Sequence, residues 1–239
     1  MTLKLYVDRM SQPSRALLIF CKANGIEFEE VQIELFKGQH RTPEFEEINP
    51  MKQVPAMVDG DFTLFESHAI LKYLACANNV ADHWYPADLR ERAKVDSVLD
   101  WHHANLRRGS VGYLLNSTFA PAFGLPFNLQ AAAEGEKLLS ASLNKIDSFW
   151  LQGDGKFLLG NTQPSIAELS LICEITELQV VDEKDHDRIL SPFKKVLKWI
   201  EDVKEATAPH FEEVHTTLYN VKEMMKQQRS AAANPQSEK

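Results

Sequence analysis

Cysteine is scarce in this 239-residue chain. Cys21, Cys76 and Cys173 stand far apart, so neither a metal-type spacing nor a disulfide framework can be drawn from them. Each sits in an apolar, helical context, where a buried reduced thiol is expected. No segment approaches the roughly 18 apolar residues that span a bilayer, so no membrane helix is expected. The apolar part of Met1-Thr-Leu-Lys-Leu-Tyr-Val-Asp8 is too short for a secretory signal and runs directly into patterned sequence. Positive charge is in deficit: 26 Lys and Arg against 34 Asp and Glu leave a formal charge of −8. That balance argues against general binding of nucleic acid or anionic membranes. Internal repeats are also missing.

What is present suffices for a packed, two-part protein, with 44% hydrophobic and 25% charged residues. Leu3, Leu5 and Val7 alternate with polar neighbours and predict a first strand. Ser11-Gln12-Pro13-Ser14 ends it, and Pro13 suits the first turn of a helix that Asn24-Gly25 closes. Phe28 to Leu35 predicts a second strand, with Val31, Ile33 and Leu35 on one face. Thr42-Pro43-Glu44 opens a short helix ending before Asn49-Pro50. Val54 to Val58 reads as a strand and Phe62 with Leu64 as its partner, joined by the Asp59-Gly60 turn. Pro55 cannot donate to a ladder and belongs at an irregular position that suits a cis peptide. The order βαβαββα is the thioredoxin-like arrangement, a sheet with a parallel part and an antiparallel hairpin.

Strand signals stop after Cys76. Residues 78–88 read as a linker, and residues 89–226 as an all-helical domain, with 227–239 as a mobile tail. Long helical patterns cover Asp88 to Asn116 and Leu129 to Leu151, separated by an apolar loop from Phe119 to Asn128. A third helix starts at the capping box Ser165-Ile-Ala-Glu168, and Ser191-Pro192 and Pro209 introduce two more.

Residues 53–68 organise the rest. The hairpin runs straight into Glu66-Ser67, with Ser67 placed to cap the helix His68 to Leu74. A carboxylate beside a helix N-terminus can hold an amine and a carboxylate together, as in an α-amino-acid head group. On this stretch alone, simple capping by Glu66 and Ser67 is the favoured reading.

Ser11-Gln-Pro-Ser-Arg-Ala16, Gly38-Gln-His-Arg41, Glu47-Ile-Asn-Pro50, Val54-Pro55, Glu66-Ser67-His-Ala-Ile70 and Asp82-His-Trp-Tyr-Pro86 stand in one order on this plan. In that phrasing the chain resembles the theta-class glutathione transferases, the plant members above all, over about residues 3 to 225. The resemblance implies a thioredoxin-like glutathione-binding domain over residues 1–77 and a helical domain that carries a hydrophobic second-substrate site. It also implies that Ser11 donates a hydrogen bond to the sulfur of glutathione and so favours the thiolate, since a free thiol titrates near about 8.5. Ser14 is the local competitor, and a bare helix cap the bland alternative. Gln12, Val54 and Pro55 would line the peptide, Glu66 and Ser67 the amino-acid head, and His40, Arg41 and Gln53 the glycine carboxylate.

Arg107 and Arg108 stand where relatives place a positive group near the sulfur, with a salt-bridging face as the other reading. Leu114, Phe119, Phe123 and Phe127 are candidates for the second-substrate wall, or else ordinary core. His68, His102 and His103 show no metal-ligand spacing, and no metal is expected. A serine rather than cysteine at residue 11 disfavours thiol-transferase chemistry. Met51-Lys52-Gln53 departs from the family's Leu-Gly-Lys, which matters if residue 52 needs a positive φ. The resulting expectation is a homodimer, placed in the cytosol because Ser237-Glu238-Lys239 is not the peroxisomal Ser-Lys-Leu, with nucleus and peroxisome left open. It would use glutathione to conjugate small electrophiles or reduce organic hydroperoxides. The alternative is a non-catalytic carrier of glutathione or hydrophobic ligands on the same fold.

Overall fold

The structure, a computed structural model, describes residues 2–233. Its first part is a four-stranded sheet: β1 (Lys4–Val7), β2 (Glu29–Gln32), β3 (Ala56–Asp59) and β4 (Phe62–Phe65), in the order β2-β1-β3-β4. β1 and β2 are parallel, joined through α1 (Gln12–Ala23), whereas β3 runs antiparallel to both β1 and β4. The side-chain period of two fixes the register. Leu5 pairs with Met57 across β1 and β3, and both are fully buried. The short α2 (Pro43–Glu46) and α3 (Ser67–Ala77) complete the expected βαβαββα order.

The helical part comprises α4 (Leu89–His102), α5 (Arg108–Leu114), α6 (Leu129–Lys145), α7 (Ile166–Thr176), α8 (Glu183–Leu190), α9 (Lys194–Ala206) and α10 (His210–Ala233). Every residue of α7 is buried, as an apolar central helix requires. α1 packs on it, so the two parts share one continuous core. α5 and α6 cross with their backbones in near contact. A Cβ on Gly135 would stand 2.4 Å from the Tyr113 nitrogen, and one on Gly109 2.5 Å from that of Leu139. Glycine there lets α5 sit low enough for Arg107, Val111 and Leu114 to reach the same cavity wall.

Several elements differ from the expectation. The pattern from Asp88 to Asn116 is interrupted by wide turns of π type at His103–Arg107 and Leu115–Phe119. β3 begins at Ala56, because the Val54-Pro55 peptide is cis and lies before the ladder. Ser67 is the first helical residue of α3; the cap position belongs to Glu66, at φ 71°. α8 follows an Asp182 cap whose side chain accepts from Asp185 N–H, a signal the sequence carried but that went unread. Cys76 is exposed, unlike Cys21 and Cys173, because the outward face of α3 carries it. α10 continues to Ala233, beyond the expected start of the tail at 227, and residues 234–239 lie outside the described residues.

Candidate active site

The loop from Asp8 to Ser11 is held from several sides. Asp8 Oδ1 accepts from Met10 N–H at 2.8 Å, and its Oδ2 accepts from Leu35 N–H at 2.9 Å. Arg9 forms a two-pronged pair with Glu30, each contact 2.8 Å. Arg15, fully buried, donates to the Arg9 carbonyl at 2.9 Å and the Met10 carbonyl at 3.0 Å. The same guanidinium donates to the Cys173 carbonyl at 3.2 Å and to the Glu177 carboxylate just beyond α7. Burial pulls its pKa down, but Glu177 and neighbouring negative groups outweigh that, and the net direction is up. A charged Arg15 therefore ties the backbone just before Ser11 to the helical part.

Ser11 occupies the cap position of α1 with extended backbone, φ −81° and ψ 120°, yet its side chain makes no cap hydrogen bond. Its hydroxyl is left at the positive end of a twelve-residue helix, in the wall of a cavity of about 740 Å³. Ser14, the competitor, is fully buried, accepts from Asp8 N–H at 3.5 Å, and does not line that cavity. The large cavity also brings together Gln12, His40, Arg41, Gln53 and Val54 from the sheet side with Arg107, Leu114 and Phe119 from the helical side. His40 is held below the ordinary histidine value, by burial first and then by Arg41.

A smaller, polar cavity of about 140 Å³ adjoins it, sharing Gln53, Val54 and Arg107. Pro55, Glu66 and Ser67 line this one. The left-handed φ of Glu66 is rare for a residue with a Cβ, and such strain clusters at ligand-binding positions. Asn49, buried, braces the loop between the cavities: it donates to the Gln53 carbonyl at 2.7 Å and accepts from Met51 N–H at 3.0 Å. Lys52 has φ 55°, so the position does ask for a positive φ, and a lysine stands there paired to Glu46 at 2.8 Å.

Arg107 lines both cavities and pairs with buried Glu174, whose other oxygen accepts from Ser110 Oγ at 2.8 Å. Arg108 is exposed and lines neither. Leu114 and Phe119 are in the large cavity, whereas Phe127 faces a third, mainly apolar space of about 720 Å³ that shares Phe36 and Phe119 with it. The side chain of Phe123 lies outside the described residues. Val221, Met224 and Met225 of α10 line the third cavity. Met10, Phe36, Asn49 and Glu177 are wall or brace residues that sequence reading missed; of these only Asn49 lay in a quoted motif.

His68, His102 and His103 do come together. One ring nitrogen from each lies within 4.8 Å of the others, and His102 and His103 line the small cavity. Their distance in sequence hid this, since α3 and the end of α4 meet only in the fold.

Residues 1–76 match the family described as glutathione S-transferase, N-terminal domain. The chain is 61% identical over 230 residues to glutathione S-transferase T1 of Arabidopsis thaliana, covering 96% of this chain and 94% of that protein. It is 38% identical over 230 residues to human glutathione S-transferase theta-1, covering 93% and 91%. A solved structure of human glutathione transferase theta-2, in complex with glutathione and an unknown ligand, is similar at a TM-score of 0.85 and 32% identity, over 95% of this chain and 91% of that one.

Proposed function

The chain belongs to the theta-class glutathione transferases, and from that premise we propose that Ser11 activates glutathione as a thiolate for attack on small electrophiles and organic hydroperoxides. The observation that carries this is the Ser11 hydroxyl, uncommitted to its own helix and in the wall of the large cavity, which shares Gln53, Val54 and Arg107 with the polar one. Glutathione fits the pair of cavities end to end. Its α-amino-acid head goes to Glu66 and Ser67, its cysteinyl backbone to Val54 beside Pro55, and its glycine carboxylate to Gln53, His40 and Arg41. The sulfur then reaches Ser11 and Gln12. A serine hydroxyl is far too weak an acid to act as a base; it donates to S⁻, and each unit by which it lowers the thiol pKa corresponds to about 1.4 kcal/mol.

The second substrate enters between Leu114, Phe119 and Arg107. In conjugation the thiolate forms a C–S bond as the leaving group departs with its electron pair. In peroxide reduction it attacks the outer oxygen, the O–O bond breaks, and the alkoxide takes a proton to leave as alcohol. The resulting sulfenic acid condenses with a second glutathione to disulfide and water. The protein works as a homodimer in the cytosol and needs no metal for this chemistry. Among the described residues no helix is long and apolar enough to cross a membrane.

Glutathione-dependent turnover of a benzylic halide and of cumene hydroperoxide, in wild type and Ser11→Ala, tests this. Both activities should fall about 100-fold, the size of effect seen when one pre-organised donor to a developing anion is removed, with glutathione affinity little changed. Turnover that survives the substitution overturns the role of Ser11. Glutathione bound by wild type without turnover of either substrate favours the carrier.

A further inference from the structure

The three clustered histidines, two of which (His102 and His103) line the small cavity, have no part in the chemistry above. His68 begins the second position of α3, His102 ends α4, and His103 opens the wide turn after it. His68 and His102 are buried and His103 is exposed, so the cluster has one face toward solvent and the cavity. His68 Nε2 and His102 Nδ1 are 3.2 Å apart. Ring centroids are separated by 5.2 Å for His68 and His102, 4.2 Å for His68 and His103, and 5.6 Å for His102 and His103.

Imidazole nitrogens about 2.0–2.1 Å from a tetrahedral zinc stand about 3.3 Å apart, and their ring centres about 5 Å apart. The observed spacings bracket those values. His102 Nε2 is buried with no hydrogen-bond partner and lies 3.7 Å from the Glu174 carboxylate. With a proton on that nitrogen, Nδ1 keeps its lone pair on the side of His68, where an ion would replace the 3.2 Å ring-to-ring hydrogen bond and a short shift would let Glu174 back the ligand. Two cations face the cluster: Arg107 is paired with Glu174, and Lys72 with Asp96 at 2.7 Å.

We propose that His68, His102 and His103 form a three-imidazole site for a borderline divalent cation, zinc above all, with its open position turned toward the cavity that Glu66 and Ser67 line. Such an ion pins the start of α3 to the end of α4. It stands at the edge of the pocket assigned above to the glutathione head group, so occupancy and glutathione affinity are coupled.

The experiment is calorimetric titration of the metal-free full chain with zinc chloride, alongside cobalt(II) spectra as a report of tetrahedral nitrogen coordination. One ion per chain is expected, with intense visible cobalt bands. His103→Ala, at an exposed position that leaves the core intact, should weaken zinc at least tenfold and remove those bands, and His68→Gln should do the same. His83→Ala and His186→Ala, away from the cluster, should change nothing. If His68→Gln fails to fold by circular dichroism, His103→Ala alone decides. No stoichiometric zinc, or zinc binding unaltered by His103→Ala, overturns the site and leaves three rings packed together.

Discussion

Serine holds the cap position before both α1 and α7, and the two serines are used in opposite ways. At the start of α7, Ser165 closes a full capping box: its hydroxyl accepts from Ala167 N–H at 3.2 Å and donates to Glu168 at 2.6 Å, and its N–H meets the same carboxylate at 2.7 Å. Glu168 also accepts from Leu158 N–H at 2.8 Å, so four groups are satisfied with no exposure. At the start of α1, Ser11 occupies the same cap position and makes no side-chain bond to its helix. One cap is complete within the protein. The other is held open by braces further off, Asp8 and Arg15, and so is complete only with a ligand. A serine before an apolar helical run therefore says where a helix starts; whether it stabilises the fold or acts on a substrate depends on the residue three places on. Glu168 answers Ser165, whereas Ser14, three on from Ser11, turns to Asp8.

The hardest way to break this contrast is to remove the brace. Arg15→Met leaves Glu177 buried without its partner and frees the carbonyls before Ser11. Loss of a buried ion-pair partner costs about 3–5 kcal/mol, which urea unfolding should register. The double change Arg15→Met with Glu177→Leu should regain most of that stability but not the turnover, since the Arg9 and Met10 carbonyls stay unheld. Recovery of both would mean that Arg15 does not position Ser11.

Next in size is Ser11→Ala, with about 100-fold lost in kcat/KM and a melting temperature almost unmoved. Ser165→Ala should do the reverse, costing about 1–2 kcal/mol as a cap lost from a helix and leaving the turnover of folded molecules near wild type. Equal stability losses in the two alanine variants would dissolve the comparison.

The smallest effect is a slope. Burial raises the Glu168 pKa to about 7, against four hydrogen-bond donors that pull it down. A carboxyl whose folded pKa lies above its unfolded value of about 4.5 stabilises the fold fully below that lower value and loses its contribution as pH rises through about 7. The melting temperature of wild type relative to Glu168→Gln should therefore fall between pH 4.5 and 7 and level off above. A difference that is flat over that range and changes only below pH 4.5, rising there with pH, would place the folded Glu168 pKa below its unfolded value.

The element order was legible because the sheet half carries strong punctuation: Pro13, Asn24-Gly25, Pro43 and Asp59-Gly60 each fall at a boundary the structure shows. Ser11, Gln12, Val54, Glu66 and Ser67 were readable as motif residues on consecutive segments. The walls were not. Phe36 and Glu177 meet Ser11 only through the crossing of α1 on α7 and the path of the loop after β2, and no local pattern announces either. Glu66 displaced Ser67 from the cap because its backbone is left-handed, a conformation that side-chain type disfavours and that tertiary contacts impose. α8 was missed because it is short and strongly polar, with an apolar face too narrow for its period to stand out.

Arg15 also bears on how the molecule comes apart. Its guanidinium sits in a helix of the sheet half, while two of its acceptors, Cys173 and Glu177, belong to the helical half. Cleaving the chain within residues 78–88 would strand a charge in one fragment and a carboxylate in the other, each beneath apolar surface freshly exposed to water. The two halves should therefore melt in a single cooperative transition, and a sheet half moved onto a different helical partner must bring an acceptor for that one arginine with it.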